Sequence, residues 1–193
     1  MDYTKDLKKY LEEEIEVIKS LDLEEINAVI NVLEEARING KRIFICGNGG
    51  SAATASHFTG DFNKGINEVL DVKYNFECLS DNMAGMMAIA NDYSYDEVFI
   101  HPLRNKMHKD DVFIGISGSG NSVNVVKAMD YANSIGGKTV ALVGYEGGKL
   151  KEMADYSIHI KINDMQIAED LHMIMDHLMM HTLYEYHSKN YKK

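Results

Sequence analysis

Five short runs rich in β-branched and aromatic residues recur along the chain: RIFIC (42–46), YNFECL (74–79), VFIGI (112–116), TVALV (139–143) and YSIHI (156–160). Helix-length segments separate them. Parallel strands need crossover connections of about a dozen residues or more, usually helical, and strands covered on both faces read as continuous apolar runs. The pattern therefore predicts an α/β fold with a central five-stranded parallel sheet flanked by helices in three layers. Only one proline, Pro102, occurs in the chain, and no linker, repeat or low-complexity segment interrupts it. Residues 1–193 are expected to form one domain, and 45% hydrophobic residues can supply its core.

Residues 1–40 read as a helical extension ahead of that 41–193 core. Leu7, Leu11, Ile15 and Ile18 form one apolar stripe, and Leu23, Ile26, Val29, Ile30 and Leu33 form a second. Asp22 with Glu25 resembles a capping box, and Gly40 is a stop signal. At the other end, a long helix is expected from about Asp164 to Tyr191, with Ile167, Leu171, Ile174, Leu178 and Thr182 on its apolar face. Methionines 173, 175, 179 and 180 add soft apolar surface for a core or subunit interface.

Two turns follow strands and open helices, the place where open parallel sheets bind ligands. The first is CGNGGSA (46–52); the second is ISGSGNS (116–122). Glycines let the backbone approach an anion, helix-terminal amides donate to it, and Ser117, Ser119 and Ser122 add hydroxyls. No P-loop lysine follows either turn, so a single phosphate is the expected guest rather than a nucleoside triphosphate. His57 and Asp61 are four residues apart and share a helix face.

The formal net charge of −10 argues against a nucleic-acid or anionic-membrane binder, which normally presents a basic patch. No apolar run approaches the roughly 20 residues of a membrane span. Cys46 and Cys78 have neither metal-type nor disulfide spacing and read as buried, reduced thiols. A cytoplasmic protein is expected.

The combination of CGNGGSA with His57, AIANDY (88–93), ISGSGNS and the late helix AEDLHMIMDH (168–177) resembles the SIS (sugar isomerase) domain family and, within it, the phosphoheptose isomerases. The resemblance covers nearly the whole chain. It implies the three-layer SIS fold and a homotetramer with active sites between subunits, converting sedoheptulose 7-phosphate to D-glycero-D-manno-heptose 7-phosphate through an enediol. Under that resemblance the turn of Ser117, Gly118, Ser119, Asn121 and Ser122 holds the phosphate, while Asn48, Gly49, Gly50, Ser51, Asp92 and Glu169 complete the substrate site.

The resemblance also implies one zinc ion per subunit on His57, Asp61, Glu169 and His177, with Asp61 and His177 as catalytic acid/base groups. Asp61 stands where these enzymes usually carry Glu, and Glu169 where they carry Gln, so either carboxylate could serve as the base. Residues 169 and 177 are about 12 Å apart along an ideal helix, which leaves Asp170 as a rival ligand. Gly65 stands in place of an Arg, and Gly118 in place of a Thr; the former leaves open an isomerase of another sugar phosphate. A non-catalytic relative that binds a phosphosugar or a replication initiator is the other alternative.

Overall fold

The computed structural model describes residues 1–189. Eight α-helices accompany the five strands: α1 Thr4–Lys19, α2 Leu23–Ile38, β1 Ile43–Cys46, α3 Gly50–Gly60, β2 Phe76–Cys78, α4 Met83–Asp92, α5 Ile100–Lys106, β3 Val112–Ser117, α6 Val123–Ser134, β4 Lys138–Val143, α7 Gly148–Met153, β5 Tyr156–His159 and α8 Met165–Ser188. All strand pairs are parallel, in the order β2-β1-β3-β4-β5. This is the α/β sheet that the spacing of the apolar runs predicts. The strands differ in detail from the runs. The second run yields only a three-residue strand, and the third extends one residue further, to Ser117.

Alternation along the strands builds two cores. Ile43, Ile45, Ile114, Ile116, Val140 and Leu142 face one side, where α2, α3 and α8 cover them. Phe44, Cys46, Phe113, Ala141 and Val143 face the other, against α5, α6 and α7. Both cysteines are buried and free, and burial pushes the Cys78 thiol up to about 12. The chain moves from β1 outward to β2 and then returns to β3 on β1's other side. That reversal opens a crevice at the carboxyl ends of β1 and β3, where both turns emerge.

The helix ends follow their sequence signals. Asp22 accepts hydrogen bonds from the amides of Glu24 and Glu25, and Gly40 closes α2 at φ +63°. Asp164 caps α8 by accepting from Ile167. The last residues of the expected final helix, 190 and 191, lie outside the described residues.

Two apolar faces differ from expectation. On α8 the buried positions are Ile167, Ala168, Leu171, His172, Met175, Asp176, Met179 and Leu183, whereas Leu178 and Thr182 are exposed. The helix is rotated so that two polar residues face the core. On α1 the whole stripe of Leu7, Leu11, Ile15 and Ile18 faces solvent, between 64% and 40% exposed, and only Val17 is buried.

Candidate active site

The first turn demands glycine. Gly49 has φ +55° and ψ −122°, a conformation that side chains disfavour, and a β-carbon at Gly47 would lie 2.6 Å from the Ser51 backbone. A β-carbon at Gly50 would lie 2.2 Å from a carboxylate oxygen of Glu169. Glu169 therefore rests against the amino end of α3, where the helix dipole favours negative charge. Asn48 and Asn124 exchange side-chain amide hydrogen bonds, both 2.9 Å, and the Tyr95 hydroxyl donates to Asn48 Oδ1 at 2.7 Å. This pair staples the first turn to the start of α6.

In the second turn the Ser117 and Ser122 hydroxyls lie 3.0 Å apart, and Ser119 Oγ accepts from the Asn121 amide at 3.2 Å. Asn121 itself points toward α7: its Oδ1 accepts from the Lys149 amide. Gly120, at φ +65°, packs so closely on Gly147 that no side chain fits. Between the two turns lies a cavity of about 180 Å³ lined by Asn48, Ser51, Ser117–Ser119, Ser122, Met165 and Glu169, with Ile116 beneath. A larger hollow of about 330 Å³ lies near the amino ends of β1 and β4. Its lysines are already paired, Lys138 with Glu35 at 2.6 Å and Lys41 with Asp110 at 3.6 Å.

A second cluster lies further along the contact between α3 and α8. His57 Nε2 and His177 Nε2 are 2.9 Å apart, and Asp61 Oδ2 is 3.7 Å from the former and 3.8 Å from the latter. Asp61 begins a π-helical turn, Asp61–Gly65, that continues α3. Asp176 joins them: one donor atom from each of the four residues lies within 4.8 Å of the others. Burial, with Asp61 adding to it, pushes the Asp176 carboxyl up to about 8. Its two oxygens have no hydrogen-bond partner among the described residues. Ligand atoms around a tetrahedral cation with bonds of about 2.0–2.2 Å are about 3.3 Å apart, so this group could hold a metal ion.

The structure thus brings His57, Asp61 and His177 together and places Glu169 elsewhere, at the serine-lined cavity. Asp170 accepts a 2.5 Å hydrogen bond from Tyr10 on α1, and the hydroxyl is held up to about 12 as a result. It takes no part in the cluster. Asp92 is exposed at the end of α4, accepts from Asn91 and does not line the cavity. Gly65 borders a hollow of about 230 Å³ with Glu68, Met180, His181 and Tyr184. Three participants escaped the sequence reading. Asn124 carried a signal, an Asn in the first helical turn after the serine loop; Tyr95 carried none; Asp176 sat inside a helix whose buried face was misplaced.

The residues 2–144 match the SIS domain family model. The chain is 35% identical to the phosphoheptose isomerase of Helicobacter pylori (strain P12), over 89% of this chain and 87% of that one. It is 36% identical to a probable phosphoheptose isomerase of Thermoplasma acidophilum, over 90% and 95%. The solved phosphoheptose isomerase of Neisseria gonorrhoeae superposes with a TM-score of 0.86 at 26% identity, covering 94% of this chain and 98% of that one. With a serine-lined cavity and a His/Asp cluster joined by one helix pair, the chain belongs to the SIS domain family, in its phosphoheptose isomerase branch.

Proposed function

We propose that this chain is an aldose–ketose isomerase that converts sedoheptulose 7-phosphate to D-glycero-D-manno-heptose 7-phosphate. Its similarity to phosphoheptose isomerases supports the substrate. The observation that carries the chemistry is the shared α3–α8 contact, which sets a phosphate-sized cavity at one end and titratable groups further along.

The phosphate sits among Ser117, Ser119 and Ser122 at the amino end of α6, with Gly118 and Asn121 shaping the loop. Asn48, Ser51 and Glu169 address sugar hydroxyls, with Gly49 and Gly50 letting the backbone approach. Asp61 takes the proton from C1 of the ketose, and the C–H electron pair becomes the C1–C2 double bond of the enediol. His177 supplies a proton to the C2 oxygen. His177, left neutral, then takes up the O1 hydroxyl proton, forming the C1 aldehyde, as Asp61 returns its proton to C2. A zinc ion, one per subunit, would be held by His57, Asp61 and His177, with Glu169 its fourth ligand in the family pattern, and when bound would polarise the substrate oxygens.

The chain as one SIS domain, 1–193, assembles into a homotetramer; the uncovered apolar stripe of α1 supports this. A phosphosugar substrate and two free thiols fit a cytoplasmic enzyme. No helix among the described residues is long and apolar enough to cross a membrane.

NMR of the metal-loaded protein with sedoheptulose 7-phosphate in deuterated water tests the reading. The aldose should accumulate with deuterium at C2. Binding without exchange would leave a phosphosugar-binding protein, and exchange only with another sugar phosphate would reassign the substrate.

A further inference from the structure

We infer that Asp176 is a protein ligand of the cation on His57, Asp61 and His177, so that one subunit supplies a two-histidine, two-aspartate set and Glu169 is left to the sugar-phosphate cavity. The inference rests on the cation reading given above and changes its fourth ligand.

Asp176 is fully buried, and neither carboxylate oxygen finds a hydrogen-bond donor among the described residues. Burying an ionised carboxylate without a partner costs several kcal/mol. A second carboxylate, Asp61, stands beside it and worsens the charge balance. The groups that share this space with them are two imidazoles whose Nε2 atoms face each other at 2.9 Å. A divalent cation would neutralise both carboxylates and give both imidazole lone pairs a common target. Each of the four residues already offers one donor atom to the same small volume.

Glu169 is placed for other work. It lies two helical turns before His177, about 12 Å along the axis, with its carboxylate against Gly50 and facing the serine turn. Asp176 is the immediate neighbour of His177, and the rotation of α8 that buries Met175 and Met179 also turns Asp176 inward. Two imidazoles with two carboxylates suit a first-row divalent ion such as Zn²⁺ or Co²⁺ better than Ca²⁺ or Mg²⁺, which prefer oxygen alone.

The test is titration of chelator-stripped full-length protein with Co²⁺, followed by its visible absorption, alongside thermal unfolding with and without Zn²⁺. Wild type should bind one Co²⁺ per subunit. Asp176→Asn should bind at least about 10-fold more weakly, since even removing groups behind the ligands costs that much, while Glu169→Ala, which leaves no donor atom at that position, retains affinity and spectrum. Asp176→Leu should lose the Zn²⁺-induced rise in melting temperature, yet in the metal-free state melt at or above wild type, because it removes the stranded carboxylate. Wild-type affinity in both Asp176 variants, or loss of binding in Glu169→Ala instead, overturns the assignment of Asp176. Absence of Co²⁺ and Zn²⁺ binding in the wild type overturns the cation reading itself, and this inference with it.

Discussion

The Nε2 atoms of His57 and His177 lie 2.9 Å apart, although 120 residues separate them in the chain. Two imidazole nitrogens at that distance either share one proton or share one cation, since two facing lone pairs repel. The contact is made where α3, launched from the first glycine turn, runs beside α8. It ties the cluster to the cavity mechanically: Gly50 and Glu169 touch at one end of the same helix pair, His57 and His177 further along it.

Ser119 lines the cavity half-buried, and its hydroxyl, unlike those of Ser117 and Ser122, is not paired with another serine. Replacing it with Ala should weaken sugar-phosphate binding by about 1.5–3 kcal/mol, the scale of a hydrogen bond to a charged group. Isothermal titration with sedoheptulose 7-phosphate would measure it, and an unchanged affinity would place the phosphate elsewhere.

Asp61→Asn should abolish both product formation and solvent exchange of the carbon-bound hydrogen, because an amide cannot accept that proton at neutral pH. Phosphate binding should persist. Metal content is to be measured in the same variant, since loss of a ligand mimics loss of a base. Exchange that survives here but vanishes in Glu169→Gln transfers the role of base to Glu169.

His172 is fully buried on the core face of α8, and burial pushes it down to about 4, an effect that contact with the Val143 backbone only partly opposes. The folded state therefore takes up a proton less readily than the unfolded chain, whose histidine titrates near about 6.5. Stability is fully present above that value and is lost as pH falls from about 6.5 toward 4, reaching about 2 kcal/mol of loss by pH 5. Urea unfolding of wild type and His172→Leu at pH 7 and pH 5 would show it: the gap between them should shift toward the variant at pH 5. A gap independent of pH contradicts the buried neutral imidazole.

The stripe of Leu7, Leu11, Ile15 and Ile18 should be covered in the assembled protein. Light scattering at micromolar concentration is expected to give a tetramer for wild type and smaller species for Leu11→Glu, whose charge would be buried at the interface. A monomeric wild type would falsify the assembly and any site shared between subunits.

Local chemistry made much of this protein legible from its residues alone. Strand runs declare themselves by composition, and the glycines of GNGGSA and SGSG mark backbone conformations and close approaches that few other residues tolerate. The resemblance carried by those turns led to the family, and the i, i+4 spacing of His57 and Asp61 placed both on one face. What the residues left undecided was the choice of buried face on helices whose apolar residues encircle them. On α8, the stripe through Ile174, Leu178 and Thr182 and the stripe through Met175, Met179 and Leu183 are both self-consistent. The surface beneath, built by the sheet with α2 and α3, selects the second. That rotation turns Asp176 and His172 into the core, ties Asp170 to Tyr10 and sends Glu169 toward the serine turn. Periodicity belongs to a single helix and reports only that a stripe exists; which stripe is buried depends on shape and charge contributed by residues far away in the chain, and only the tertiary structure brings those together.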